Sequence, residues 1–145
     1  MTRVGRNRHV ERGSATLELA ILAPAVLVLV GLGIVGGRVV LADAAVEQAA
    51  AAAAREASLA RDPQSAHARA VGAAQRSLGS QGIDCVREAI DVNTAGFAIP
   101  VGRPASVSAS VACTVSLSDL AVPGAPGMRT LTATVTSPLD RYRSR

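Results

Sequence analysis

With 145 residues, the chain has room for one small domain and a further short segment. It is 49% hydrophobic yet only 1% aromatic, with one Tyr, one Phe and no Trp, which argues against a ring-lined ligand pocket. The net charge of +4 is carried by Arg alone, at the two ends (Arg3, Arg6, Arg8, Arg12; Arg141, Arg143, Arg145) or singly between, and no basic stripe interleaved with aromatics exists to stack bases. Nucleic acid is therefore not an expected partner.

The first twelve residues are polar and basic, with Glu11 the single acid. Next come the 19 uncharged residues Leu19–Gly37, long enough as a helix to span about 30 Å of hydrocarbon. Four Arg precede this run, whereas Arg38 and then the acids Asp43 and Glu47 follow it. The excess of positive charge on the leading flank places the N-terminus in the cytoplasm and the bulk outside. A cleavable secretory signal, cut after Val40-Leu41-Ala42 to leave Asp43 first, is the competing reading. The length of the run and Pro24 near its start stand against it. Pro24 itself reads as a local kink. Gly33 and Gly37 form a GxxxG, which either lets two helices approach closely or arises from an Ala/Gly-rich composition.

Val39 to Arg61 holds Ala, Glu, Gln and Arg without Pro or Gly, so helix continues beyond the apolar run. One long helix is expected from about Thr16 to Leu59, half in lipid and half projecting outward. Asp62-Pro63 has the form of an N-cap followed by Pro at the first helical position, opening a second helix to Leu78 that Gly79 stops. The period then changes. Val107, Ala109, Val111, Cys113, Val115 and Leu117 alternate with mostly hydroxylated residues, as do Leu131, Ala133 and Val135 with Thr130, Thr132, Thr134 and Thr136. Both patterns give strands with one buried face. A shorter strand, Val86 to Val92, would share one face among Val86, Ile90 and Val92, and the loop Ala121 to Gly127 joins the last two strands. The fold class is α+β: a long helix, a short helix and a small antiparallel sheet. The expected division is a basic cytoplasmic leader (1–13), a transmembrane helix (14–38), an extracytoplasmic helical region (39–80) and a small β-rich domain (81–145).

Cys85 and Cys113 sit in no CxxC and have no His nearby, so a zinc site is not expected. Outside the cytoplasm such a pair reads as one disulfide, and two buried thiols are the alternative. His9 and His67 have no catalytic companion, and no nucleophile triad, phosphate loop or acidic pair can be assembled. Neither an enzyme nor a cofactor or small-molecule substrate is expected.

One motif carries chemistry. In Arg12-Gly13-Ser14-Ala15-Thr16-Leu17-Glu18-Leu19 a basic leader ends in Gly13, and a carboxylate stands where the apolar run begins. A charge at a membrane edge is costly and calls for a partner. A cut after Gly13 would create an α-amine at Ser14, one helical turn from Glu18. Glycine at the cut lets the backbone enter a protease cleft extended. This arrangement is the type IV prepilin pattern, and residues 12–24, with Ala54-Arg55-Glu56-Ala57 and the ending Ala133 to Arg143, resemble the TadE-like pseudopilins of tight-adherence (Tad/Flp) pilus systems. Leu19 stands where that family often has Phe or Tyr. The resemblance implies a pilin-like fold and cutting after Gly13 by a prepilin peptidase. It also implies a role as minor subunit or assembly factor, with other pilins or pseudopilins and the Tad assembly machinery as partners. The alternatives are a membrane-tethered extracytoplasmic binding module, which has no use for Ser14 as first residue, and a secreted domain starting at Asp43.

Overall fold

The computed structural model describes the backbone of residues 11–116 and 127–142 and the side chains of residues 18–116 and 127–142. The leader up to residue 10, with His9, lies outside the described residues. So do Leu117, most of the loop at 121–127, and the last three residues. Helix α1 runs Glu11–Ser58 and α2 Pro63–Ser80; strands β1 (Arg87–Asn93), β2 (Ser106–Ser116) and β3 (Met128–Pro138) follow. The class is α+β: a long apolar N-terminal helix, a second short helix and a three-stranded antiparallel sheet of order β1-β2-β3. The chain divides into two compact units, residues 1–37 and Arg38–Arg145.

The first unit is helix alone. Helix α1 begins at Glu11, about five residues before the expected start at Thr16, and continues through Pro24. Its extra turn holds Arg12, Ala15 and other helix formers, and one Gly at 13 costs only about 1 kcal/mol of helix propensity.

In the second unit, the C-terminal half of α1 packs as part of the core. Ala42, Ala45, Val46, Ala49, Ala50, Ala53, Ala54 and Ala57 are all buried. They recur every three or four residues, the spacing that lines one side of a helix. They join one hydrophobic cluster with Ala66, Ala70, Ala74 and Leu78 of α2 and with Val107, Ala109, Val111, Cys113 and Val115 of β2. The helical region 39–80 and the β-rich region 81–145 thus share a core. Across the helix pair, Arg69 donates to Glu56 at 2.8 Å and the Gln81 side chain donates to the Ala45 carbonyl at 3.4 Å.

Asp62 caps α2: its carboxylate accepts from the Ser65 backbone N–H at 2.8 Å and from the Ser65 hydroxyl at 2.7 Å, and Pro63 opens the helix. The far end departs from expectation. Gly79 lies within α2, and the left-handed residue is Gly82, with φ +66°. Ile83 donates to the Leu78 carbonyl and Gly82 to that of Gly79, closing the helix in a Schellman turn. Ile83 and Leu78 both pack into the core, so the stop falls where these two can meet.

β2 is the central strand. It pairs with β1 from Asn93↔Ser108 to Arg87↔Thr114, and with β3 along its whole length from Ser106↔Pro138 to Ser116↔Met128. Burial alternates along β2 as its pattern requires, and Leu131 is buried in β3. β1 starts at Arg87, so Val86 precedes it and is exposed, whereas Ile90 and Val92 pack against the core. Regular register would set Cys85 opposite Ser116; instead it is bonded to Cys113 and the segment leaves the ladder there. A short 3-10 helix, Ala95–Ala98, was not foreshadowed by any pattern. It requires Gly96, where a β-carbon would collide with the Ser106 carbonyl.

Candidate functional site

Ten large apolar side chains between Leu19 and Ile34 are each 53–71% exposed on α1. Burying a side chain of this kind is worth roughly 1.5–3 kcal/mol, so ten left in water would cost on the order of 20 kcal/mol. Among the described residues none covers them: the span's most apolar window, with mean hydropathy 2.6, is 0% buried. By length and composition this helix can cross a membrane. Single-pass anchoring fits what the segment needs, a surrounding as apolar as itself.

At the head of the run Glu18 is exposed, with no hydrogen bond or ion pair among the described residues. Gly13 and Ser14 lie in the first turn of α1, and their side-chain surroundings fall outside the described residues. Ser14 precedes Glu18 by four residues, about 6 Å along the axis and on the same face. At the other end of the run Gly33 and Gly37 share a face, and a β-carbon at either would meet nothing within 4 Å. They leave the helix backbone open to close approach.

Cys85 and Cys113 are joined in a disulfide with Cα atoms 5.3 Å apart. Cys113 is wholly buried on the helix-facing side of β2, so the bond ties the turn after α2 to the middle of the sheet.

No group of three or more potential metal ligands occurs among the described residues, and no polar side chain is buried there. His67 is exposed on α2. An open depression of about 520 Å³ lies between the 3-10 helix and the sheet and is lined by Asn93, Ser106, Ser108, Thr136 and small or apolar residues. It offers hydroxyls but neither acid nor base. Another, of about 340 Å³, lies between α1 and β3, where Asp43 and Glu47 line it with Leu131 to Thr134. The sequence reading used those two acids only as a flank of the membrane segment. Their placement beside a strand edge depends on contacts between residues far apart in the chain. The Asp62 carboxyl is held below its ordinary 3.8, chiefly by the Ser65 N–H and then by the Ser65 hydroxyl.

Residues 13–55 match the family model described as TadE-like protein, which bears out the resemblance carried by the Gly13 to Glu18 motif. No match is found among curated proteins or among solved structures. The matched segment contains the whole apolar run and most of the buried Ala stripe. Together, the family match and the long apolar helix support a membrane-anchored component related to Tad pili.

Proposed function

We propose that this chain, with its TadE-like segment at residues 13–55, is a minor pseudopilin in the assembly of a tight-adherence, Flp-type pilus. The observation that carries the reading is a coincidence of two features in one helix. The family match begins at Gly13, and within it lies an apolar run that the described residues leave uncovered. The N-terminus is cytoplasmic, residues 14–38 span the membrane, and residues 39–145 stand outside it, where an oxidising compartment supports the disulfide. A prepilin peptidase cuts after Gly13; the first helical turn unwinds for this, and glycine is among the residues that give up helix most easily. The new amine of Ser14 then neutralises Glu18 in the same copy or in a neighbouring helix. An unpaired carboxylate in lipid costs about 3 kcal/mol on insertion scales, which makes the pairing a driving force for association. Gly33 and Gly37 let a partner helix come close. The partners are other pilins or pseudopilins and the Tad assembly machinery.

Top-down mass spectrometry of membrane fractions tests the reading. A chain starting at Ser14 is expected, Gly13→Leu should leave the leader attached, and Glu18→Ala should be cut normally yet co-purify poorly with partner subunits. An intact Met1 is what a plain membrane tether predicts, and a start at Asp43 is what a secreted domain predicts. Either would overturn the proposal.

A further inference from the structure

The two edges of the sheet differ. β1 is seven residues long, carries Arg87, Glu88 and Asp91, and is approached by α2, whose Gln75 donates to Glu88 at 3.1 Å. β3 is eleven residues long, and from Thr130 to Ser137 it has no charge, no Pro and no break in its register with β2. Among the described residues it pairs with β2 alone, so its outer row of backbone N–H and C=O groups is open. The helix layer is wider than this sheet. α1 and α2 lie side by side over the buried face of β2, joined by the Arg69–Glu56 and Gln81–Ala45 contacts. A packed helix is about 10 Å wide, so the pair covers about 20 Å. Strands lie about 4.8 Å apart, so three fill about 14 Å and four about 19 Å. The sheet is thus one strand narrower than its helices. α2 closes over β1, and the spare width falls at β3, where a groove of about 340 Å³ runs between α1 and Leu131 to Thr134. On the helix-facing side of β3, Leu131 is buried but Ala133 and Val135 are only half-buried.

We infer that this groove takes a fourth strand, donated by a different subunit, which pairs with β3 beneath α1 and carries two basic residues at alternate positions. Strand addition satisfies the open backbone row of β3 from Thr130 to Ser137. The chemistry of the donor follows from its surroundings. Asp43 and Glu47 line the groove, are exposed, and have no ion pair or hydrogen bond among the described residues. Their helix positions are about 6 Å apart, and alternate residues of a strand about 6.7 Å, so two Lys or Arg side chains can meet two carboxylates in step. Further along the same side, beside Val135, the donor needs apolar residues to complete the half-buried row. Its other side is level with the exposed Thr132, Thr134 and Thr136 and takes hydroxylated residues. A second copy cannot be the donor. Its β1 and its β3 each bring a helix layer wider than the sheet beneath, and that layer would meet α1 closer than the 8–10 Å or so at which helices pack. The strand therefore comes from a chain that presents it without helices above it. For the source of that chain the inference rests on the assembly reading above.

Hydrogen exchange in the full-length, detergent-solubilised protein tests it, with a synthetic peptide as the probe. The peptide alternates threonine with two lysines and then two valines, and is made in both sequence directions. Every second amide from Thr130 to Ser137 points away from β2 and should exchange more slowly once the peptide is bound, with β1 unchanged. Glutamate in place of the lysines should weaken binding about tenfold, and N-methylation along the pairing edge of the peptide should abolish it. In Asp43→Arg/Glu47→Arg the preference should reverse toward the glutamate peptide, which also shows that the variant is folded. No slowing at β3 with the lysine peptide in either direction, slowing at β1 instead, undiminished binding of the N-methylated form, or an unchanged preference in the variant overturns the inference. A chain that starts at Ser14 in the membrane fraction yet shows no slowing at β3 would overturn it while leaving the assembly reading standing.

Discussion

Helix α1 is one continuous element with two halves that solve opposite problems. From Leu19 to Ile34 its large apolar residues are Leu, Val and Ile, and they are exposed; from Ala42 to Ala57 the residues that line its buried face are Ala with a single Val. Backbone geometry is the same in both, so side-chain size makes the difference. A branched side chain of three or four carbons gains from any apolar surrounding, lipid included, and needs no specific partner. A methyl group gains little by itself but lets a second helix and a sheet come close, where dispersion between many atoms adds up. One half is built to be solvated by hydrocarbon and the other to be solvated by protein.

That contrast has a consequence for stability. A core of Ala and Val with a single Phe, Phe97, buries little area per residue, so the second unit depends on its staple. The largest expected effect is therefore loss of the disulfide. Cys85→Ser, which opens a link across 28 residues, should destabilise the Arg38–Arg145 unit by roughly 3–4 kcal/mol in the chain-entropy model. Thermal melts of the folded unit would show it, and a melting temperature equal to wild type would mean the Ala core suffices alone.

A smaller effect sharpens the comparison between halves. Ala53→Leu inserts three carbons into a fully buried site and should cost about 1–3 kcal/mol. Leu29→Ala removes as many carbons from the exposed half and should leave the same melt unchanged, while weakening retention in membranes. Equal effects of the two changes on unfolding would erase the distinction.

The smallest effect is at the start of α2. Asp62→Ala removes the cap and should lower the melting temperature slightly, by less than either change above. Because the folded-state carboxyl is held below its ordinary 3.8, its contribution is present above that pH and is lost as pH falls through the lower folded value. The difference in stability between wild type and variant should thus be constant near neutrality and shrink below about pH 4. A gap that persists into stronger acid would assign the effect to helix propensity rather than to the cap.

Local patterns made much of this legible. The strict alternation of Val107 to Val115 specifies a half-buried strand whatever surrounds it, and Asp62-Pro63 contains its own capping chemistry. The Gly13 to Glu18 motif and the apolar run are also local, which is why both the resemblance and the anchor could be read from residues alone. What could not be read depends on distant partners. Either Gly79 or Gly82 can end a helix, and the choice falls to Gly82 because Ile83 must reach Leu78. Gly96 is needed only because the Ser106 carbonyl comes against it. The Ala stripe from Ala42 to Ala57 reads as a generic helix former, although its spacing of three and four residues was the sign that one face would be buried.

The central claim is that one helix passes from lipid to an external, protein-packed environment. Single cysteines placed on its exposed side measure this most directly, since the native pair is held in a disulfide. With a membrane-impermeant maleimide added to intact cells, Gln48→Cys should label and Leu29→Cys should not, and Leu29→Cys should remain unlabelled after the membrane is made leaky. Labelling of Gln48→Cys only after lysis would contradict the orientation, and equal labelling of both positions in intact cells would contradict the anchor itself.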